Sequence, residues 1–201
     1  MGGNGFIQRW VASKSDRLLG KVITGNTPSR KDRENYGDEM EWIKSDNINT
    51  PSHYLTTSQE RLSKIGLKKA RTAPKNSILV TCIAGSPDCI GNAAVADRTV
   101  SFNQQINAVV PTTGVDWRFL YTQILVAKGA IQAASTKSMK GMVSKSAFSA
   151  VEFLHPPLPL QVEFGKIFST IEASRGRSAI AANDAANLFS SLQQRAFRGG
   201  L

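Results

Sequence analysis

The rhythm of apolar and polar positions shifts along the chain, and each shift marks the element that follows. Residues 6–24 mix apolar and basic side chains and end in Leu18-Leu19-Gly20-Lys21-Val22-Ile23, which fits a strand or the end of a helix. Gly25-Asn26-Thr27-Pro28-Ser29-Arg30 then supplies turn chemistry. Glu41-Trp42-Ile43-Lys44 predicts a short strand, closed by Ser45-Asp46-Asn47, whose side chains compete for backbone hydrogen bonds. Ser58 to Leu67, with Leu62 and Ile65 as its apolar positions, suits a short helix stopped by Gly66. Ser77-Ile78-Leu79-Val80-Thr81-Cys82-Ile83 is the strongest strand, bounded by Pro74 and Gly85. Ala93-Ala94-Val95-Ala96 and Ile106-Asn107-Ala108-Val109-Val110 follow as further strands between polar turns. Asp116 to Lys128 predicts a helix, with Phe119, Leu120, Gln123, Ile124 and Ala127 at helical spacing. The alternation predicts an α/β (α+β) domain built on a mixed sheet, of about 150 residues, a normal size for one core.

The pattern breaks at His155-Pro156-Pro157-Leu158-Pro159. Proline fixes φ and removes amide donors, so this stretch predicts extended chain and a boundary between residues 1–155 and residues 156–201. No proline follows it, and residues 160–197 are rich in Ala, Leu, Gln, Glu and Ser. Val162, Phe164, Ile167, Phe168 and Ile171 make one apolar face, and Ile180, Asp184, Ala185, Leu188, Leu192 and Ala196 another. This is a long helix or a helix pair, with Gly176 as the weak point and Gly199-Gly200 as its end. A helix of ~35 residues is ~50 Å long, too long for a domain this small to cover, so its stripe predicts a helical partner.

Charge adds a direction. The 201 residues carry 25 Lys and Arg against 15 Asp and Glu, a net charge of +10. The first 150 residues hold +9 of that excess, and the last quarter is almost neutral. Neutralising phosphates releases condensed counterions, so a localised cationic field points to nucleic acid. At 41% hydrophobic the chain can bury a core. No stretch approaches the ~20 apolar residues of a membrane span, and nothing reads as a secretory leader. Met1-Gly2-Gly3-Asn4-Gly5 reads as an appended or frayed end. Cys82 and Cys89 are too few for a disulfide scaffold and are expected as reduced thiols of a cytoplasmic protein.

Candidate chemistry is sparse. His53 and His155 have no Asp, Glu or Cys at metal-ligand spacing and suit surface or packing roles, and Cys82 suits a small buried apolar position. Gly85-Ser86-Pro87-Asp88-Cys89-Ile90-Gly91 lacks the Lys-Ser/Thr ending of a phosphate loop. Asp38, Glu39 and Glu41 read as a solvated face. No catalytic, metal or cofactor site is expected. Four polar, turn-bound segments are left: Thr27-Pro28-Ser29-Arg30-Lys31, Lys44-Ser45-Asp46-Asn47, Phe102-Asn103-Gln104-Gln105 and Ser135-Thr136-Lys137-Ser138-Met139-Lys140-Gly141. Arg and Lys can chelate guanine edges, Asn and Gln can pair with adenine, and Ser and Thr reach phosphate. Any one of them is more simply an ordinary turn, with Asn103 and Gln104 satisfying buried backbone groups. Four on a domain of charge +9 point to a DNA-facing surface.

The order of these segments resembles a known family. Gly25-Asn26-Thr27-Pro28-Ser29-Arg30 is similar to its Gly-Gly-Thr-Pro-Ser-Arg element, and Glu41-Trp42-Ile43-Lys44-Ser45-Asp46-Asn47-Ile48 to its Pro-Trp-Ile-Lys-Ser-Gly-Asp-Ile element. Ala73 to Val80 resembles its Leu-Pro-Lys-Gly-Thr-Val-Leu-Val strand entry, and Ile90 to Val95 its Ile-Gly-Lys-Val-Ala-Ile. Phe102 to Val109 resembles its Ala-Thr-Asn-Gln-Ala-Ile-Cys-Ala-Ile, and Pro156 to Gln161 its Pro-Pro-Leu-Pro-Glu-Gln. Leu188 to Leu201 resembles the closing element, with Ala196-Phe197-Arg198-Gly199 for its Ala-Phe-x-Gly. These are marks of the specificity subunit of type I restriction–modification systems, and the resemblance runs from about residue 17 to the end.

The resemblance implies a target recognition domain in residues 1–155, reading one half of a split double-stranded DNA site, followed by a helical spacer. In that family the spacer packs antiparallel on a second spacer and docks on the modification subunits, which carry adenine methylation and bring in the restriction subunit. This sequence departs from the pattern in holding one recognition domain and one spacer instead of two of each. Asn26 stands for a glycine, and Asn47 departs from the glycine–aspartate order. Implied DNA contacts are Thr27, Ser29, Arg30, Lys31, Lys44, Ser45, Asn47, Asn103, Gln104, Lys137, Ser138 and Lys140. A homodimer through Ile171, Ile180, Leu188, Leu192 and Phe197 would present two domains to a symmetric interrupted site. Two other readings stay open, a type IIG-like recognition module and an interaction protein that turns its basic face to an acidic partner or a membrane surface.

Overall fold

The structure, a computed structural model, describes residues 11–14, 20–136 and 141–198. The expectations for Met1 to Gly5, Leu18 and Leu19, for Lys137, Ser138 and Lys140, and for Gly199-Gly200 lie outside the described residues. In chain order the first strands are β1 (Val11–Lys14), β2 (Gly20–Thr24), β3 (Tyr36–Ile43) and β4 (Arg61–Leu62), followed by helix α1 (Lys64–Lys69). Next come β5 (Thr72–Ala73), β6 (Ile78–Thr81), β7 (Ile83–Ala84), β8 (Ala93–Val95), β9 (Val100–Phe102) and β10 (Ile106–Pro111). Helices α2 (Trp117–Val126) and α3 (Lys128–Ala133) precede β11 (Gly141–Met142), α4 (Lys145–Ser149) and β12 (Glu152–His155), and α5 (Leu158–Phe197) closes the chain.

Two four-stranded sheets form the body, in the orders β2-β10-β6-β8 and β4-β3-β9-β5, flanked by the pairs β1-β12 and β7-β11. The first sheet is antiparallel throughout, while β3 and β9 run parallel in the second. The apolar run at Ile78-Leu79-Val80 explains the architecture. Ile78 and Val80 join a core cluster with Val22, Val95 and Val109 that packs under Leu120, Tyr121 and Ile124 of α2. Leu79 points the other way, into a second cluster with Ile43, Val100, Phe102 and Ile106 between the sheets. A strand buried on both faces reads as continuous apolar sequence rather than alternation. The class is therefore the α/β arrangement expected, with mixed sheets and a long C-terminal helix.

Several expectations need correction. Leu62 belongs to strand β4, and the helix expected from Ser58 begins only after Ser63, whose hydroxyl accepts the amides of Ile65 and Gly66 at 3.2 and 3.1 Å. Gly66 does not stop that helix but lies inside it, where a Cβ would collide with the Asn35 carbonyl. Asp116 does cap α2, accepting the Arg118 amide at 2.8 Å. Strand β9, short and flanked by Arg98 and Asn103, falls in a stretch with no expected element. Leu158 and Pro159 are helical, not extended, because proline is tolerated in a first turn whose amides have no intrahelical acceptor.

Helix α5 runs 40 residues, about 60 Å, straight through Gly176. Its first turns dock on the body. Gln161 is fully buried, accepting the Asp116 amide at 3.0 Å and donating to the Pro156 carbonyl at 2.8 Å. Phe164 meets Phe119 edge-on at 5.5 Å, and Phe168 packs against Trp117, Tyr121 and His53. The expected apolar face thus divides: Phe164 and Phe168 turn inward, while Ile167 and Ile171 are exposed. His53 shares a hydrogen bond with Tyr121 Oη at 2.9 Å and contacts Arg175 and Glu172 of α5. From Ala173 to Arg198 every residue is exposed. Among the described residues no helix is long and apolar enough to cross a membrane.

Candidate nucleic-acid interface

Three of the four polar segments converge. The loop after β2 carries Thr27, Ser29, Arg30 and Lys31, all exposed. Its path is set by close packing: the Gly25 amide donates to the Ile106 carbonyl at 3.0 Å and the Asn26 amide to Phe102 at 3.1 Å, and a Cβ on Gly25 would strike the Asn103 carbonyl. Asn26, standing for the family's glycine, accepts the Arg71 amide at 2.8 Å and donates to the Lys69 carbonyl at 2.8 Å. Thr27 Oγ1 donates to Gln104 Oε1, joining this loop to the turn between β9 and β10.

The third segment, the turn after β3, is joined through charge. Glu60 pairs with Arg30 at 2.8 Å and with Lys44 at 3.1 Å. The Arg30 guanidinium lies 5.3 Å from the Tyr36 ring centre and 5.2 Å from that of Trp42, and the two rings meet edge-on at 6.1 Å. Both rings hold the first loop, Tyr36 Oη donating to the Pro28 carbonyl at 2.9 Å and Trp42 Nε1 to the Asn26 carbonyl at 3.3 Å. Burial raises the proton affinity of Glu60, but the hydrogen bonds from Arg30 and Lys44 outweigh it and hold the carboxyl below its ordinary range.

Not every expected contact faces outward. Asn47 is buried, accepting the Lys44 amide at 3.0 Å and donating to the Thr57 carbonyl at 3.2 Å, so it shapes the turn that presents Lys44 and the half-buried Ser45. Asn103 is also buried, its amide spent on Gln105 at 2.9 and 3.0 Å, whereas Gln104 is exposed. Glu41, expected on a solvated face, is buried instead, bound by Arg98 and by the Ser58 amide at 2.8 Å. Glu60, Tyr36 and Trp42 escaped sequence reasoning as parts of this face. The only signal for them was an acid and two aromatics near basic turns, a pattern that tertiary contact alone makes meaningful.

At the other end of the molecule, Ile171, Ile180, Leu188 and Leu192 are 54%, 65%, 62% and 40% exposed, and Phe197 90%. The two cysteines are free. Cys82 is buried, accepts from Asn107 Nδ2 at 3.2 Å, and burial pushes its thiol up to about 12. Among the described residues no group of three or more His, Cys, Asp or Glu is placed to hold a metal ion.

A family model for the type I restriction modification DNA specificity domain matches residues 18–178, and the chain belongs to that family. It is 30% identical over 149 residues to the type I restriction enzyme HindI specificity subunit of Haemophilus influenzae, covering 69% of this chain and 30% of that protein. It is 31% identical over 111 residues to the MjaIX specificity subunit of Methanocaldococcus jannaschii, covering 54% of this chain and 25% of that protein. The fold is shared with the crystal structure of the HsdS subunit from Thermoanaerobacter tengcongensis, at TM-score 0.60 and 18% identity over 99% of this chain and 47% of that one. The chain thus spans under a third of these curated relatives and about half of the solved chain.

Proposed function

We propose that this chain reads one half of an interrupted duplex DNA site and recruits the subunits that methylate adenine within it. The division follows the charge. Residues 1–155 form the cationic recognition domain, and residues 156–201 the near-neutral spacer that meets protein. The observation that carries the reading is the convergence of three loops, tied by Thr27–Gln104 and by Arg30–Glu60–Lys44, into one exposed polar face. Thr27, Ser29, Arg30, Lys31, Ser45 and Gln104 contact DNA, with Lys44 held beside them by Glu60, and with Asn47 and Asn103 holding the turns behind them. Lys137, Ser138 and Lys140 extend this set on sequence alone.

The spacer pairs with a second copy, giving a cytoplasmic homodimer whose two domains face a symmetric site. Modification subunits dock on the paired helices and bring the restriction subunit with them. Methylation chemistry belongs to those partners, and the chain contributes selection. The test is co-expression with a cognate modification subunit in a host lacking other adenine methylation, followed by sequencing of methylated positions. The expected result is a single interrupted, two-fold symmetric motif that disappears when the chain is omitted. Methylation at the same sites without the chain, or at unrelated sites, overturns the reading.

A further inference from the structure

Resting on the DNA-reading proposal, we propose that Glu60 is a specificity residue of this face: it fixes the Arg30 guanidinium as a pre-oriented reader of a guanine edge and withholds Lys44 from phosphate. The geometry is that of a buttress. The carboxylate takes the two terminal nitrogens of Arg30, Nη1 at 2.8 Å and Nη2 at 3.2 Å. A guanidinium has five N–H donors, so three, including Nε–H, are left for another acceptor pair, and the Arg30 side chain is 58% exposed. Guanine presents O6 and N7 in the major groove at a spacing that a guanidinium fork matches.

The frame around the fork is rigid. Tyr36 and Trp42 wall the guanidinium and also bind the Pro28 and Asn26 carbonyls of the loop that carries it. Glu60 is held by its own backbone, its amide donating to Ser58 Oγ at 3.3 Å and its carbonyl accepting the Trp42 amide at 2.9 Å. Both ends of the ion pair therefore belong to one scaffold, and little rotamer freedom is left for DNA binding to remove.

Electrostatics argues for reading over gripping. A face built for phosphate alone gains nothing from a carboxylate at its centre, because that charge repels the backbone and offsets half the charge of the two cations it binds. An exposed ion pair also contributes little to folding. The arrangement is economical only if discrimination, not bulk affinity, is the quantity being raised: Lys44 is weakened as an indiscriminate phosphate ligand, and Arg30 is left with the donors that distinguish a base.

The experiment uses the full chain and its Glu60→Gln, Glu60→Asp and Arg30→Lys variants. Each is equilibrated with a pool of duplexes carrying randomised internal positions at two salt concentrations, and bound DNA is sequenced. Arg30→Lys and Glu60→Gln are expected to lose guanine preference at the same position, by about tenfold. Glu60→Gln is also expected to bind the whole pool more tightly at low salt, with a salt slope steeper by about one as Lys44 becomes free for phosphate. Glu60→Asp is expected to keep part of the preference. The proposal is overturned if Glu60→Gln keeps the wild-type preference, or if it lowers thermal stability and affinity for all duplexes equally with the preference intact. If the wild-type chain enriches no sequence at all, the DNA-reading proposal fails first, a result distinct from either of these.

Discussion

The Glu41 carboxylate concentrates the polar interior of the second sheet. It is 8% exposed, receives the Arg98 guanidinium and the Ser58 amide, and lies beside Trp42, whose carbonyl accepts from Ser58 Oγ at 2.9 Å. The Arg98 hydrogen bonds lower the pKa of Glu41 from the ordinary 4.5, against the opposing effect of burial. A depressed folded value means that the carboxylate's contribution to stability is fully present above pH 4.5 and fades as pH falls through the lower folded value. Arg98→Ala strands that charge and is expected to cost about 2 kcal/mol at neutral pH, since Arg98 itself is partly solvated. Below the folded value the protonated Glu41 no longer needs the partner, so the difference from wild type narrows. Thermal unfolding followed from pH 7 down through the acid range checks this; a difference that stays constant throughout would remove Glu41 as the cause. Glu41 and Glu60 look alike in sequence to the solvated Asp38 and Glu39, and only the chain's return at Arg98 and Arg30 tells them apart.

At the scale of elements, legibility tracked how local the cause was. Ile78-Leu79-Val80 announced a strand because burial on both faces leaves no polar position, and Asp116 announced α2 because capping is a short-range hydrogen bond. Strand β9 was hidden because three residues pair with partners at Trp42 and Thr72, far away in sequence. Gly66 was misread because a glycine demanded by the approach of Asn35 is indistinguishable in sequence from one that ends a helix. Helix α5 was legible as a rod, yet the split of its stripe into a docked part and a free part depended on where the body ends. The free part carries the next prediction. Leu188→Asp with Leu192→Asp touches nothing in the body, so it is expected to leave thermal unfolding of the domain in place while halving the mass seen by light scattering at tens of micromolar. A wild-type chain that is already monomeric there overturns the helix-paired dimer.

The whole molecule sets its polar loop face and its exposed helix apart in space as well as in charge. The converging loops sit on a sheet-built body with two apolar cores, and the helix leaves that body beyond its contacts at His53, made through Phe168, Glu172 and Arg175. Which segments would gather was suggested by their common polar character, and family resemblance supplied their order. Which side chains within them face outward was not legible, because Asn47 and Gln104 are equivalent as letters and differ only in what surrounds them.

The burial of Cys82 equips the fold with an internal stopwatch. Its thiol sits beyond the end of β6, inside the cluster that joins the first sheet to α2, and at a proton affinity of about 12 it holds almost no thiolate at neutral pH. Cys89, on the turn before β8, packs against the edge of the same cluster but is only half-buried. A maleimide is therefore expected to mark one cysteine per folded chain quickly and the second only as fast as the sheet parts from the helix, with both modified at once in denaturant. Mass spectrometry of timed samples would read the opening rate directly, and equal labelling of both thiols from the start would show that the interior is not closed.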